Sequence, residues 1–268
     1  MKSMFKVIQE QIKSFYLIQR LAMFEMKSAN TNNYLGILWE FINPMIQIGI
    51  YWLIFGIGIR GNQDIDGVPF IYWMLTGIVV WFFANPAILE ATKSIHKRIN
   101  MIAKMSFPMS TIPSFVIMSK LYQHLMILVP VIIILQFAGY YVSPYYLQLP
   151  YFILAAVIFI LALTLITSTL AMIIRDVQMI VQAVMRMVFY ATPLIWHNPR
   201  LPEALTFLIK VNPLTYIAEG YRASLLGTGW YFIDHLNYTF YFWGLTIVLL
   251  MIGSTLHLKF RNQFVDYL

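Results

Sequence analysis

The residues in this sequence best suited to chemistry are Gln178, Gln182 and Arg186, which follow one another at four-residue steps inside a largely apolar run. That spacing puts two amides and a guanidinium on one face of an α-helix. An arginine at the centre of a membrane helix costs about 2.5 to 3.5 kcal/mol on insertion scales, so it should face a hydrated path or protein rather than lipid. Along a path, the stripe would hydrogen-bond a passing polar molecule and Arg186 would attract an anionic group. Alternatively, Arg186 pairs with backbone carbonyls or a boundary carboxylate and holds helices together. Thr164 and Ser168 form a weaker polar stripe one apolar run earlier, and such hydroxyls also serve helix packing. Tyr51, Trp52, Trp81, Phe82 and Phe83 offer flat faces to sliding sugar rings, against the ordinary role of aromatic residues in interfacial belts.

Other chemistries are missing. Every carboxylate falls in a loop or at the edge of an apolar run, Glu40 and Glu90 included, whereas proton-coupled pumps need an acid within the bilayer. The sequence has no phosphate-binding G-x-x-x-x-G-K-[ST] loop and no cysteine, and its five histidines show no metal-ligand spacing. A lipid-modifying enzyme would need a carboxylate or histidine cluster. The one close acidic pair, Asp64 and Asp66, precedes Gly67-Val68-Pro69 and reads as a turn. No catalytic residue and no metal site are expected, and a chain of this kind must take its energy from a partner.

The elements that would position these groups are set by hydropathy. Of 268 residues, 60% are hydrophobic and 11% charged, far from the ~25% charged of a soluble domain. The sequence predicts an all-α polytopic membrane protein with six transmembrane helices: Phe41 to Ile59, Val68 to Leu89, about Ser114 to Tyr140, Leu147 to Ile174, Val177 to Trp196 and Tyr238 to Leu258. The first apolar run is already of span length, so no cleaved signal peptide is expected. Six spans gather the basic N-terminus, Lys93, Lys97, Arg98, Lys104, Arg175, Lys259 and Arg261 on one side, and leave Arg60, Arg200, Lys210 and Arg222 on the other. The excess of cations marks the cytoplasmic face, so both termini should lie inside. The net charge of +7 reflects that asymmetry rather than nucleic-acid binding.

Three segments outside the spans carry patterns of their own. Residues 1–33 predict an amphipathic interfacial helix with Phe5, Ile8, Ile12 and Phe15 on one face and Lys6, Lys13, Arg20 and Lys27 at seven-residue steps beside it; residues 34–268 form the six-span domain. Ile95, Ile99 and Ile102 share a face of a short cytoplasmic helix that Phe107-Pro108 ends, poised to contact something. Between the fifth and sixth spans, pieces near Glu203 to Lys210 and Leu214 to Leu226, split by Asn212-Pro213, are too short to cross and predict two external re-entrant helices.

Four stretches, YLGILWEFINPM (Tyr34 to Met45), FPMSTIP (Phe107 to Pro113), RDVQMIVQAVMRMVFYATPLIW (Arg175 to Trp196) and NPLTYIAEGYRASLLG (Asn212 to Gly227), resemble the permease subunits of ABC-2-type polysaccharide exporters. They look most similar to teichoic-acid translocation permeases of Gram-positive bacteria, with O-antigen permeases as near relatives. The resemblance implies a homodimer in the bacterial plasma membrane, docked on two copies of an ABC ATPase that binds the ATP and magnesium. The exported polymer would ride on undecaprenyl diphosphate. It further implies that the helix bearing Ile95, His96, Arg98, Ile99, Ile102 and Met105 couples to the ATPase, with the Arg175-Asp176 turn as a second contact. The N-terminal helix would be a surface gate and the split external helices an outer gate. Ser28 to Asn33 is uncharged where relatives often carry basic residues, so contact with the lipid diphosphate would fall to Arg20, Lys27 or the Lys97-Arg98 pair. An exporter of another polysaccharide such as capsule, or of a small lipid or drug, would share the fold.

Overall fold

The computed structural model describes residues 2–29, 33–59, 61, 63–102, 108–197, 202–261 and 264, without the side chains of residues 99–102, 204 and 205. The expected N-terminal amphipathic helix is two helices, α1 (Lys2–Lys13) and α2 (Phe15–Ser28), separated at Ser14. Val7, Ile18 and Ala22 are buried, while Phe5, Ile12 and Phe15 point outward beside the exposed Lys6, Lys13, Arg20 and Lys27. An apolar face bordered by cations suits the headgroup boundary. Polar bonds tie the pair down. Glu10 accepts from Arg261 at 2.8 Å and from the Ser110 hydroxyl, Gln11 donates to the Ser110 carbonyl at 2.9 Å, and Glu25 pairs with Arg98.

Among the described residues, five helical stretches are long and apolar enough to cross a membrane. The first, Gly36–Ile59, contains α3 (Trp39–Tyr51) and continues as π-helical turns over Trp52–Ile59. Next comes a two-residue hairpin in which Ile65 and Val68 exchange backbone hydrogen bonds of 2.8 and 2.9 Å. Asp66 and Gly67 both take positive φ there, as that turn requires, so the acidic pair is a turn. Then follow α4 (Phe70–Thr92), the short α5 (Ser94–Ile102), α6 (Thr111–Phe137), and α7 (Leu149–Ile173) with its single-turn lead-in.

The expected fifth span departs from its reading. α8 (Val177–Ala191) has 15 residues, roughly 22 Å, rather than running to Trp196. Pro193 disfavours helical geometry at the residue before it, and Thr192 is extended at φ −90°, ψ 131°. The two short helices expected to be external are α9 (Glu203–Val211) and α10 (Pro213–Leu226). Between them, Asn212 caps α10 by accepting from Leu214 N and ties it to α8 by donating to the Thr192 hydroxyl at 2.7 Å. One further turn, α11 (Tyr231–Asp234), leads into the last span, α12 (Leu236–Phe260), which lies along α7. Gly253 permits that approach: a Cβ there would stand 2.9 Å from Leu165 Cβ and 3.0 Å from the Ala162 carbonyl.

α10 is no surface loop. It inserts between α4 and α7 with Tyr216, Ile217 and Tyr221 fully buried, and Tyr221 bonds His124 of α6 at 2.9 Å. Arg222, counted above among the outward cations, is 4% exposed. Its guanidinium lies 3.6 Å from the Trp73 ring centroid, donates to the Trp73 carbonyl at 3.2 Å, and pairs with the Pro193 carbonyl and with Glu219. The Pro193 carbonyl becomes available where α8 stops, whereas the Trp73 carbonyl belongs to α4 and Glu219 to α10.

Candidate functional site

A polar cleft opens between three membrane helices. On α3, Glu40, Asn43 and Gln47 recur at steps of three and four and share one face. On α6, Lys120, Gln123 and Ile127 do the same, and α4 contributes Trp81, Phe82 and Asn85. The cleft holds about 280 Å³. Gln123, 5% exposed, donates to Glu40 at 3.0 Å, and Lys120 bonds Glu90 at 2.9 Å. Pro44 and Pro86 each withhold an N–H from the helical ladder beside the cleft, at the carbonyls of Glu40 and Phe82. Trp81 and Phe82 are the two predicted aromatic residues that reach this cavity. The amides and Glu40 escaped the sequence reading, although the i, i+3, i+7 spacing of Glu40, Asn43 and Gln47 was there to find.

A second cavity, about 470 Å³, lies against the outward side of α2. Arg20 and Lys27, two turns apart, border it with Tyr16, Gln19 and Tyr122, and Met23 and Phe24 add apolar wall. Arg20 stands 5.8 Å from the Tyr16 ring centroid. The four cations expected to meet a diphosphate therefore divide. Arg20 and Lys27 share a pocket, Lys97 is exposed on α5, and Arg98 is turned inward onto Glu25, 5.1 Å from the Phe115 ring centroid. A guanidinium already paired with a carboxylate is a poor second ligand for phosphate.

The α8 stripe enters neither cavity. Gln178 is half-buried, while Gln182 and Arg186 are exposed with no hydrogen-bond partner among the described residues. The buried face of α8 is Met185 and Phe189 instead. Phe189 gathers Tyr51 at 5.6 Å and Trp81 at 5.1 Å between ring centroids. Thr164, Ser168 and Phe83 lie in the packed interior: Thr164 bonds the Ile160 carbonyl at 2.7 Å, and Phe83 meets His124 with centroids 5.0 Å apart. Trp52 packs in the π-helical turns beside Gly56, its indole N–H without a hydrogen-bond partner among the described residues.

At the end of the bundle expected to face the cytoplasm, α5 packs on α6 and α7, and the exposed Arg175-Asp176 turn follows α7. Ile95, expected to face a partner, is wholly buried in the chain's own core, because an amphipathic helix on a membrane domain turns its apolar side inward. Among the described side chains of this helix, His96 and Lys97 are exposed. The side chains of Ile99 and Ile102, and Met105 altogether, lie outside the described residues.

Comparison with known proteins fits this layout. The O-antigen export system permease protein RfbA of Myxococcus xanthus is 25% identical over 223 residues, covering 82% of this chain and 84% of its own. A Klebsiella pneumoniae protein of the same name is 27% identical over 254 residues, covering 91% and 92%. The profile of the family described as ABC-2 type transporter matches residues 16–226, from α2 through α10 and so across every helix that builds the two cavities, and the chain belongs to that family.

Proposed function

We propose that this chain is the membrane subunit of an ATP-driven exporter that carries a polysaccharide, linked to a lipid diphosphate, from the cytoplasmic to the outer face of the plasma membrane. Family membership implies an ABC ATPase partner. The reading assigns two copies of that ATPase, a homodimer of this chain, ATP and magnesium bound by the partner, and both termini in the cytoplasm. The observation that carries it is that Arg20 and Lys27 line one pocket on α2, an amphipathic helix of a kind suited to the headgroup boundary. Cations beside a low-dielectric wall attract a diphosphate more strongly than in bulk water.

The coupling step follows from packing. The ATPase presses on α5 through His96, Lys97, Ile99, Ile102 and Met105, and on the Arg175-Asp176 turn. The Glu25–Arg98 pair hands the displacement of α5 to α2. Packed helices shift as rigid bodies between discrete arrangements, and that shift opens the path. For the cargo, the sequence motifs support an anionic teichoic acid; the names of the relatives favour an O-antigen as the second reading.

The test is reconstitution of the chain with its ATPase in vesicles and measurement of ATP-dependent delivery of lipid-linked teichoic acid and of O-antigen. Replacing both Ile99 and Ile102 by Asp is expected to abolish export while leaving ATP hydrolysis by the ATPase intact. Export by that variant at the wild-type rate refutes the coupling assignment.

A further inference from the structure

A third cavity, about 700 Å³, lies where α9 ends and α12 begins. Leu236 opens α12, whereas Arg261, just past the far end of that helix, bonds Glu10 of α1. The 25 residues of α12 measure ~37 Å against a hydrocarbon layer of ~30 Å, so its first turn stands at the depth of lipid headgroups. The cavity therefore borders the membrane face away from α1, which is the outer one when both termini are cytoplasmic as proposed above.

Two kinds of surface meet there. Phe207, Ile233 and Leu236 are exposed large apolar side chains, the kind of wall that lipid covers. The same cavity is bordered by one cation, Lys210, and one anion, Asp234, both exposed. They do not pair with each other, and neither side chain has a hydrogen-bond partner among the described residues. Opposite charges that border one cavity without meeting suit a ligand carrying both signs on separate atoms. Tyr238 and Tyr241 spend their hydroxyls on the Asn212 and Val211 carbonyls, at 3.1 and 2.7 Å. Those bonds satisfy carbonyls at the end of α9 and fix its distance from α12. The tyrosine rings still line the cavity, and an aromatic face near a carboxylate attracts an ammonium group.

We propose that this cavity binds the headgroup of an outer-leaflet phospholipid that is zwitterionic and bears an amine. Lys210 meets the phosphate, Asp234 meets the ammonium, and Phe207 and Leu236 lie beside the acyl chains. A purely anionic headgroup or a phosphate group of the cargo gains Lys210 alone and is repelled by Asp234. A lipid held there ties the short α9 to the last span. The choice of leaflet rests on the topology proposed above; the headgroup chemistry does not.

The full-length chain in detergent, titrated with short-chain phosphatidylethanolamine, short-chain phosphatidylglycerol or glycerol 3-phosphate, reports binding as a rise in Tm. The ethanolamine lipid is expected to reach its half-effect at about a tenfold lower concentration than the glycerol lipid, as one charge-assisted hydrogen bond gives. Asp234→Asn should erase that difference, and Lys210→Gln should weaken both lipids. Both variants should melt with the wild type when no lipid is added, as exposed and unpaired positions do, which shows that they are folded. Equal half-effects of the two lipids on the unaltered chain overturn the proposal, as does a preference that survives Asp234→Asn. Glycerol 3-phosphate acting as strongly as the ethanolamine lipid assigns the cavity to phosphate alone and overturns it too. Labelling that finds the termini outside the cell overturns the outer-leaflet placement and the topology together, and leaves the lipid preference to be judged by the titration.

Discussion

Arg186 and Arg222 carry the same guanidinium and meet opposite surroundings. Arg222 belongs to a segment too short to cross the membrane, yet it is 4% exposed, stacked on Trp73 and bonded to the carbonyls of Trp73 and Pro193 and to Glu219. Arg186 belongs to the apolar α8, yet it stands on an exposed face with no partner among the described residues. The difference lies in acceptors. Along α8 the helix's own N–H groups occupy the backbone carbonyls, whereas the break at Thr192-Pro193 frees carbonyls within reach of α10. Gly77 completes the arrangement, since a Cβ there would stand 2.4 Å from an Arg222 nitrogen. In a membrane domain, then, a guanidinium is buried where helices break and glycine leaves room, whatever the hydropathy of its own segment.

The most direct way to break this comparison is to remove each guanidinium in turn. Arg222→Leu strands Glu219 and the Pro193 carbonyl, and removing one partner of a buried pair costs about 3 to 5 kcal/mol. The variant is expected to lose its cooperative thermal transition in detergent, or to lower its Tm by more than any other single change discussed here. Arg186→Leu should leave the thermal transition within about 0.5 kcal/mol of wild type, as for a surface substitution, while reducing vesicle export. If Arg186→Leu instead prevents insertion or folding, the stripe is structural and the contrast between the two arginines disappears.

Hydropathy and turn chemistry make much of this architecture legible in the sequence, and what they leave illegible has physical reasons. The first span was read to its observed end at Ile59, the break at Asn212-Pro213 was read in place, and so was the Asp64 to Asp66 turn. These are local features, set by residues within a few positions of one another. The cleft is not local: Glu40, Asn85 and Gln123 come together from three helices about forty residues apart in sequence, and Glu40 alone reads as a span boundary. Ile95 shows a different limit. Amphipathic spacing says that a face is buried, not what buries it, and here α5 turns that residue into its own domain.

A smaller effect sharpens the contrast from the packing side. Arg222 is held in a helix that also passes Phe152 at close range: a Cβ on Gly220 would lie 2.2 Å from that ring. Gly220→Ala should therefore displace α10 and destabilise by about 1 to 3 kcal/mol, the usual cost of overpacking. Gly244→Ala, where a Cβ meets nothing within 4 Å, is the matched control and should be neutral or slightly stabilising. Equal Tm values for the two variants would show that α10 tolerates movement and that Arg222 is not a rigid pin.

The smallest effect belongs to a third arginine, Arg261, whose partner Glu10 is only partly buried at the opposite face of the membrane. Burial by itself raises the Glu10 pKa, but the Ser110 hydroxyl and the Arg261 guanidinium outweigh it and hold the carboxyl below its ordinary value. A folded-state pKa that is depressed gives stability present above the unfolded value near 4.5 and lost as pH falls through the folded one. Anchoring of α1 should thus be constant from pH 7 down to about 5 and weaken below that, by about 1 kcal/mol or less. Hydrogen exchange over Lys2–Lys13, referenced to α12, reads it directly. Glu10→Gln should show the lowered protection already at pH 7 and flatten the pH dependence. If α1 in that variant stays as protected as in the wild type, its apolar burial through Val7 alone suffices, and the polar clamp is dispensable where the one around Arg222 is not.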